Sequence, residues 1–278
     1  MRELEREQNT DTREAVALPP LAVIGPGRVG RSLVRAASDA GLAVSLSGRR
    51  DALAAGEQAE IALLCVPDAA IEDACDAIAA AVPPLRFVGH TSGATGLEAV
   101  SATSARGARA FSLHPLQTIP DGESVLAGIP CAVAGSDAEA LRVATALAER
   151  LRLRPFALDD RDRAAYHAAA SIASNYLVAL EETAVELLER AGIEGGRELI
   201  APLVLRTAAN WAERGDAALT GPIARGDEET VARHVDAISE VAPELLDAYR
   251  ALADRTRTIA RPDAGFGPDA SPKPEVAA

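Results

Sequence analysis

LAVIGPGRVGRSL, residues 21–33, decides the fold. An apolar run of strand length, LAVIG at 21–25, leads into Gly25, Gly27 and Gly30 at the G-x-G-x-x-G spacing and then into a segment of helical pattern. Strand, glycine turn and helix in that order give each glycine its own physical task. Gly25 permits the tight turn, Gly27 lets backbone approach a pyrophosphate, and Gly30 lets helix and strand pack closely. The helix that opens here, with Pro26, Arg28 and Val29 around the turn, directs its first N–H groups at an anion. A dinucleotide-binding βα turn is the reading.

The same alternation continues outward. Apolar runs at 43–47 (AVSLS), 61–66 (IALLCV), 86–90 (RFVGH), 109–113, 130–135 (PCAVAG) and 154–158 (RPFAL) are separated by segments of helical length, with a helix expected near 137–151. Apolarity that is continuous and not alternating predicts strands covered on both faces, as in a parallel sheet. Beyond Asp159 strand signals vanish, and Arg161 to Arg190 contains neither Gly nor Pro, which predicts one long helix. Glu198–Arg214, Asp227–Val241 and Pro243–Ile259 extend a helical bundle punctuated by Gly and Pro. The expected organisation is a disordered extension at 1–18, a dinucleotide-binding domain at 19–158, a helical substrate and dimerisation domain at 159–260, and a disordered tail at 261–278.

Composition limits the chemistry. The 278 residues contain 28 Lys plus Arg against 41 Asp plus Glu, a net charge of −13 that repels nucleic acid and anionic membrane surfaces. The only lysine is Lys273, in the tail, so the folded part has no amine for Schiff-base or lysine-acid catalysis. Cys65, Cys75 and Cys131 show no metal-ligand spacing and are odd in number, which points to a reducing cytoplasm. The charged N-terminus lacks the apolar core of a secretion signal.

The second strand should end beside the adenosine ribose, where NAD-specific proteins place a carboxylate. Here the chain reads Ser47-Gly48-Arg49-Arg50. Ser47, Arg49 and Arg50 can bind a 2′-phosphate through charge-assisted hydrogen bonds, so NADP is the expected cofactor. Two arginines on a solvated turn are the alternative. Ligands of open α/β sheets lie outside the carboxyl ends of the strands, which puts Val66, Pro67, His90, Thr91 and Ser92 on the cofactor cleft.

For the chemistry the candidates are histidines. His90 and His114 sit at strand ends, and Pro115 after His114 makes a turn that aims the ring toward the cleft. In YHAAASIASNY, His167, Ser171 and Asn175 recur every four residues and so share one helix face. A carbonyl or imine reductase needs such a face: a proton donor and polar groups that fix the substrate. His167 is the expected donor; a helix-start histidine satisfied by packing is the alternative. In LTGPIARGD, 219–227, Asp227 is placed to cap the next helix, and Arg225 to clamp a carboxylate. His234 lies in a polar helix. No ligand spacing supports a metal site.

GPGRVG, HTSGATG, SLHPLQT, GIPCAVAG, YHAAASIASNYLVAL and LTGPIARGD occur in the order found in bacterial Rossmann-like proteins with a C-terminal domain of unknown function 2520, which this chain resembles over about residues 20–258. The resemblance implies an α/β Rossmann-type, mostly parallel sheet followed by an all-helical domain of the 6-phosphogluconate dehydrogenase C-terminal type. It also implies kinship with ketopantoate reductase and pyrroline-carboxylate reductase, NADP-dependent reduction, and a homodimer formed through the helical domain. Established ketopantoate and hydroxy-acid enzymes carry a catalytic Lys followed by Asn where this chain has His167 and Asn175. The expected activity is NADPH-dependent reduction of a small carboxylated 2-oxo acid, ketopantoate among the candidates, with His167 as proton donor, Ser171 and Asn175 orienting the carbonyl, and Arg225 holding the carboxylate with help from His114 or Ser92. An imine or pyrroline reductase and a non-catalytic NADP-binding sensor are the alternatives.

Overall fold

Residues 18–48, 59–80 and 85–260 are described by the structure, a computed structural model. Their contacts divide into two compact units that part between Ser174 and Asn175. The first unit is built on seven strands: β1 (Leu21–Ile24), β2 (Val44–Ser47), β3 (Ile61–Leu64), β4 (Phe87–His90), β5 (Arg109–Pro115), β6 (Pro130–Gly135) and β7 (Arg154–Ala157). They lie in the order β2-β1-β3-β4-β5-β6-β7. The first five strands in that order are parallel, β6 runs antiparallel to β5, and β7 parallel to β6.

Alternate residues of the strands feed two separate cores, which is why the runs read as continuously apolar. Leu21, Val23, Ile61, Leu63, Phe87, Phe111 and Leu113 pack on one face with α1 (Arg28–Asp39), through Leu33 and Ala37, and with the helix at Ala138–Arg150. Ile24, Ala62, Leu64, Val88 and Ala110 pack on the other with the helix at Ile71–Ala79, through Ile71, Cys75 and Ile78. The helices at 71–79 and 138–150 are α2 and, after the single turn α3 (Ser101–Ser104), α4. AVSLS departs from the expectation of two-sided cover: β2 is an edge strand, with Ser45 and Leu46 exposed, because it borders β1 alone.

Helix α5 spans Arg163–Ala173. The single helix expected over 161–190 is in fact two, interrupted at Ser174, whose φ of −122° and ψ of −74° leave the helical region. Ser174 and Asn175 have short polar side chains that compete for backbone hydrogen bonds, so a helix can break there without Gly or Pro. What places α5 on the sheet is Arg163, whose side chain is 2% exposed. Its guanidinium donates to Ser112 Oγ at 2.8 Å, to the Ser92 carbonyl at 3.3 Å, and through Nε and Nη2 to Asp160 Oδ1 at 3.1 and 2.9 Å. The other oxygen of Asp160 accepts the Leu97 N–H at 3.1 Å. One buried cation thereby joins the start of α5 to the loop just after β4 and to the middle of β5.

The second unit comprises α6 (Asn175–Arg190), α7 (Gly196–Arg214), α8 (Pro222–Arg225), α9 (Glu228–Val241) and α10 (Leu246–Ala260). Asp227 caps α9, its Oδ1 accepting the Thr230 N–H at 3.0 Å, which holds the carboxyl below its usual range. Burial is sparse here: Val185, Val231, Ile238 and Ala253 are buried, whereas Val178, Leu203, Leu205 and Trp211 of α6 and α7 are 62–72% exposed. Among the described residues no helix is long and apolar enough to cross a membrane.

Replacing Arg163 with glutamine removes a buried charge that satisfies three acceptors. Because Asp160 stays partly wet, the loss belongs at the lower end of the range for a broken buried pair, about 3 kcal/mol. The denaturant midpoint should fall accordingly, and an unchanged midpoint would show that α5 is held by something else.

Candidate active site at the carboxyl edge of the sheet

From β1 the chain crosses to β2 on one side and returns to β3 on the other, so the carboxyl ends of β1 and β3 form the switch point at which α/β sheets receive ligands. The glycine turn lies there. Gly25 has φ of +117°, its N–H donates to the Ser47 carbonyl at 3.0 Å, and a Cβ on it would stand 2.3 Å from the Cys65 carbonyl oxygen. A Cβ on Gly30 would stand 2.0 Å from the Gly25 carbonyl oxygen. At Gly27 a Cβ would meet nothing within 4 Å. Gly25 and Gly30 are thus demanded by the protein's own backbone, while Gly27 borders open space.

Pro26, Gly27 and Arg28 are exposed, Val29 is half-buried, and Gly27 caps α1 with no side-chain acceptor and no acidic residue in the first turn. The N–H groups at this end are therefore free to receive an anion. Ser47 Oγ is buried with no hydrogen-bond partner among the described residues, an orphan at the end of β2 beside Gly25. Backbone donors, open space over Gly27 and an unsatisfied hydroxyl fit a dinucleotide. Arg49 and Arg50 lie outside the described residues.

Along the edge, Val66 is half-buried and Pro67 exposed after β3. Thr91 Oγ1 donates to the Leu64 carbonyl at 3.4 Å, and burial pushes the Cys65 thiol up to about 12, so it is no nucleophile. His90 has no exposed surface: its Nε2 bonds the Gly96 carbonyl at 3.1 Å, and its Nδ1 has no partner among the described residues. Ser92 Oγ accepts the N–H groups of Ala94 and Thr95 at 3.2 and 2.9 Å and donates to Thr95 Oγ1 at 2.9 Å. The side chains of His90 and Ser92 are committed to shaping the loop from beneath.

At the carboxyl end of β5 stands His114, and α5 lays two residues against it. His114 Nδ1 is 2.7 Å from Tyr166 Oη, and the His114 and His167 ring centroids are 6.4 Å apart at 71°. Both imidazoles converge on Gly93, where a Cβ would lie 2.8 Å from His114 Nε2 and 2.9 Å from His167 Cδ2. Burial first, then the neighbouring His167 and Arg163, push His114 down to about 4; burial and Arg163 do the same to His90. Both rings are neutral at neutral pH.

Ser171 is half-buried one turn beyond His167 on α5. The four-residue spacing does not carry across Ser174 to Asn175, which opens α6 and is exposed. Arg225 closes α8 and is exposed, and His234 on α9 bonds Tyr249 Oη at 2.8 Å; these three belong to the second unit. Tyr166, Gly93 and Arg163 escape a reading by motif, although Tyr166 is one of only three tyrosines and adjoins His167 in a run of alanines.

Sheet, glycine turn and helical second unit define an α/β protein of the Rossmann type. Residues 5–115 match the family model of a Rossmann-like domain and residues 129–256 that of a domain of unknown function, DUF2520. No curated protein matches the chain. Among solved structures, a Bacteroides fragilis protein provisionally described as an NADP oxidoreductase is 21% identical, with a TM-score of 0.70 over 86% of this chain and 98% of the other. A Thermotoga maritima protein is 21% identical, with a TM-score of 0.71 over 87% and 99%. The Aspergillus terreus reductive aminase in complex with NADPH and ethyl levulinate is 18% identical, with a TM-score of 0.63 over 86% and 93%. These likenesses are likenesses of fold.

The two lowered histidines make stability depend on pH. Their folded values, about 4, lie below the ordinary 6.5, so on acidification the unfolded chain takes up protons first. Stability present above about 6.5 should be lost as pH falls toward 4, by about 3 kcal/mol for each ring. Denaturation curves across that window should be steeper in pH for the native protein than for His90→Gln; parallel dependences would contradict a buried neutral His90.

Proposed function

We propose that the protein is an NADPH-dependent reductase of a small carboxylated 2-oxo acid, with His167 as the proton donor. The observation that carries this reading is the convergence of His114 and His167 on Gly93, on the edge of the sheet that also bears the glycine turn. β1 and β5 are three inter-strand steps apart, about 14 Å at about 4.8 Å each, a span that an extended dinucleotide covers. The uncapped N-terminus of α1 would hold the pyrophosphate, and Ser47 would meet the ribose. The A. terreus enzyme of this fold is complexed with NADPH. When bound, NADPH supplies a hydride to the carbonyl carbon.

The two imidazoles divide the remaining work. His114, kept neutral by burial, can donate a hydrogen bond to the carbonyl oxygen but is too weakly basic to carry a proton at neutral pH. His167 delivers the proton to that oxygen as its charge develops, and the product is a 2-hydroxy acid. Ser171, one turn along α5, would orient the substrate. A neutral donor at His114 favours an oxo acid over an iminium substrate, because an iminium nitrogen has no lone pair to accept from it. The apolar surface of α6 and α7, Val178, Leu203, Leu205 and Trp211 among it, supports a homodimer through the helical unit.

His167→Ala should lower turnover of a 2-oxo acid by about a hundred- to ten-thousandfold, the contribution of a positioned general acid, while NADPH still binds. Fluorescence titration with NADPH and steady-state kinetics measure the two separately. Unchanged turnover would remove His167 from the chemistry, and failure of NADPH to bind the native protein would remove the reductase reading.

A further inference from the structure

Tyr166 has no part in the proton delivery just described, yet its hydroxyl makes the shortest polar contact of the site, 2.7 Å to His114 Nδ1. The two rings meet edge to face with centroids 5.6 Å apart, and Phe156 backs Tyr166 with centroids 6.0 Å apart. The phenol is therefore seated by packing on both sides. Its position follows from the fold: Tyr166 lies three residues after Arg163, the residue that fastens α5 to β5, so the register that buries Arg163 also brings Tyr166 to His114.

A hydrogen bond between a phenol and an imidazole nitrogen can run in either direction, and the two directions leave different groups unsatisfied. If Tyr166 donates, its O–H and the Nδ1 lone pair satisfy each other, and Nε2 carries the ring's proton. If His114 donates from Nδ1, the Tyr166 O–H is left without an acceptor among the described residues, and Nε2, packed beside Gly93, carries a bare lone pair. The first arrangement satisfies more polar groups in a half-buried site and is favoured. Burial keeps both partners neutral, His114 down to about 4 and Tyr166 up to about 12, so neither ionisation disturbs the choice.

We infer that Tyr166 is a positioning residue that locks His114 in the Nε2–H form, so that the nitrogen beside Gly93 and His167 always donates and never accepts. The consequence is a restriction on ligand chemistry. Whatever ligand meets His114 Nε2 must present a hydrogen-bond acceptor to it, as a carbonyl oxygen or a carboxylate does, and groups that only donate, such as a primary ammonium, are refused. This selection rests on the reductase reading for the identity of the acceptor, but the lock itself does not.

The test is a long-range proton–nitrogen correlation spectrum of the ¹⁵N-labelled full-length protein at neutral pH, with the His114 signals assigned by their loss in His114→Gln. His114 should show a protonated Nε2 and an unprotonated Nδ1 whose shift is that of a hydrogen-bonded acceptor. In Tyr166→Phe, which keeps the ring contacts, the Nδ1 signal should move to that of a free acceptor or to the Nδ1–H form. Turnover of a 2-oxo acid should fall about tenfold with the KM for NADPH unchanged, the loss expected of one neutral hydrogen bond. An Nδ1–H spectrum in the native protein, or identical His114 signals in native and Tyr166→Phe proteins, would overturn the lock; the native spectrum decides even where the variant does not fold. A native protein that shows the Nε2–H spectrum but reduces no 2-oxo acid would refute the reductase reading and leave the lock standing.

Discussion

The histidine end of the candidate site hangs from one buried cation. The Arg163 guanidinium, taken out of water, must find acceptors on every side, and it finds them in the loop just after β4, on β5 and in the turn that precedes its own helix. Desolvation makes that set of bonds all-or-none, which fixes the rotation and height of α5 against the sheet. A helix so placed has no freedom to choose which residues meet His114; Tyr166 and His167 follow from the pitch. The same charge helps to keep His90 and His114 unprotonated, after burial itself. Scaffold and electrostatics are set by the same side chain.

The consequence is a site in which two imidazoles a few ångströms apart play unlike parts. One is buried, neutral and hydrogen-bonded to a phenol; the other lies half-exposed at its side on an alanine-rich helix. Pairs of titratable groups in unlike environments are how enzymes obtain a donor and an acid from the same residue type. Gly93 belongs to this arrangement as much as the rings do, since any side chain there would occupy the point on which they converge. With no lysine among the described residues, an imidazole is the natural carrier of the proton.

Most of the α/β unit was legible because its rules are local. Continuous apolar runs mark strands buried on two faces, and GPGRVG after such a run marks a tight strand-to-helix turn, where the close approaches at Gly25 and Gly30 leave no room for a side chain. AVSLS read as a covered strand because composition does not say which strand lies at an edge. The helix break at Ser174 was invisible to a search for Gly and Pro, since it arises from a Ser-Asn pair whose helix-breaking tendency is weak. His114 and His167 could each be chosen from the sequence, but their meeting 53 residues apart could not, nor could Tyr166 and Gly93, whose roles exist only in three dimensions. The buried Arg163 was the least legible of all, because in a chain with 27 arginines nothing in the sequence distinguishes the one that goes inside.

The proposed reductase needs its substrate carbonyl to meet His114 and His167 together. A crystal structure of the protein with NADP⁺ and oxamate, an unreactive analogue of a 2-oxo acid, tests it most directly. The oxamate amide oxygen should lie within hydrogen-bonding distance of both His114 Nε2 and His167, on the carboxyl side of β5. An analogue bound elsewhere, with the two imidazoles facing only solvent, would contradict it.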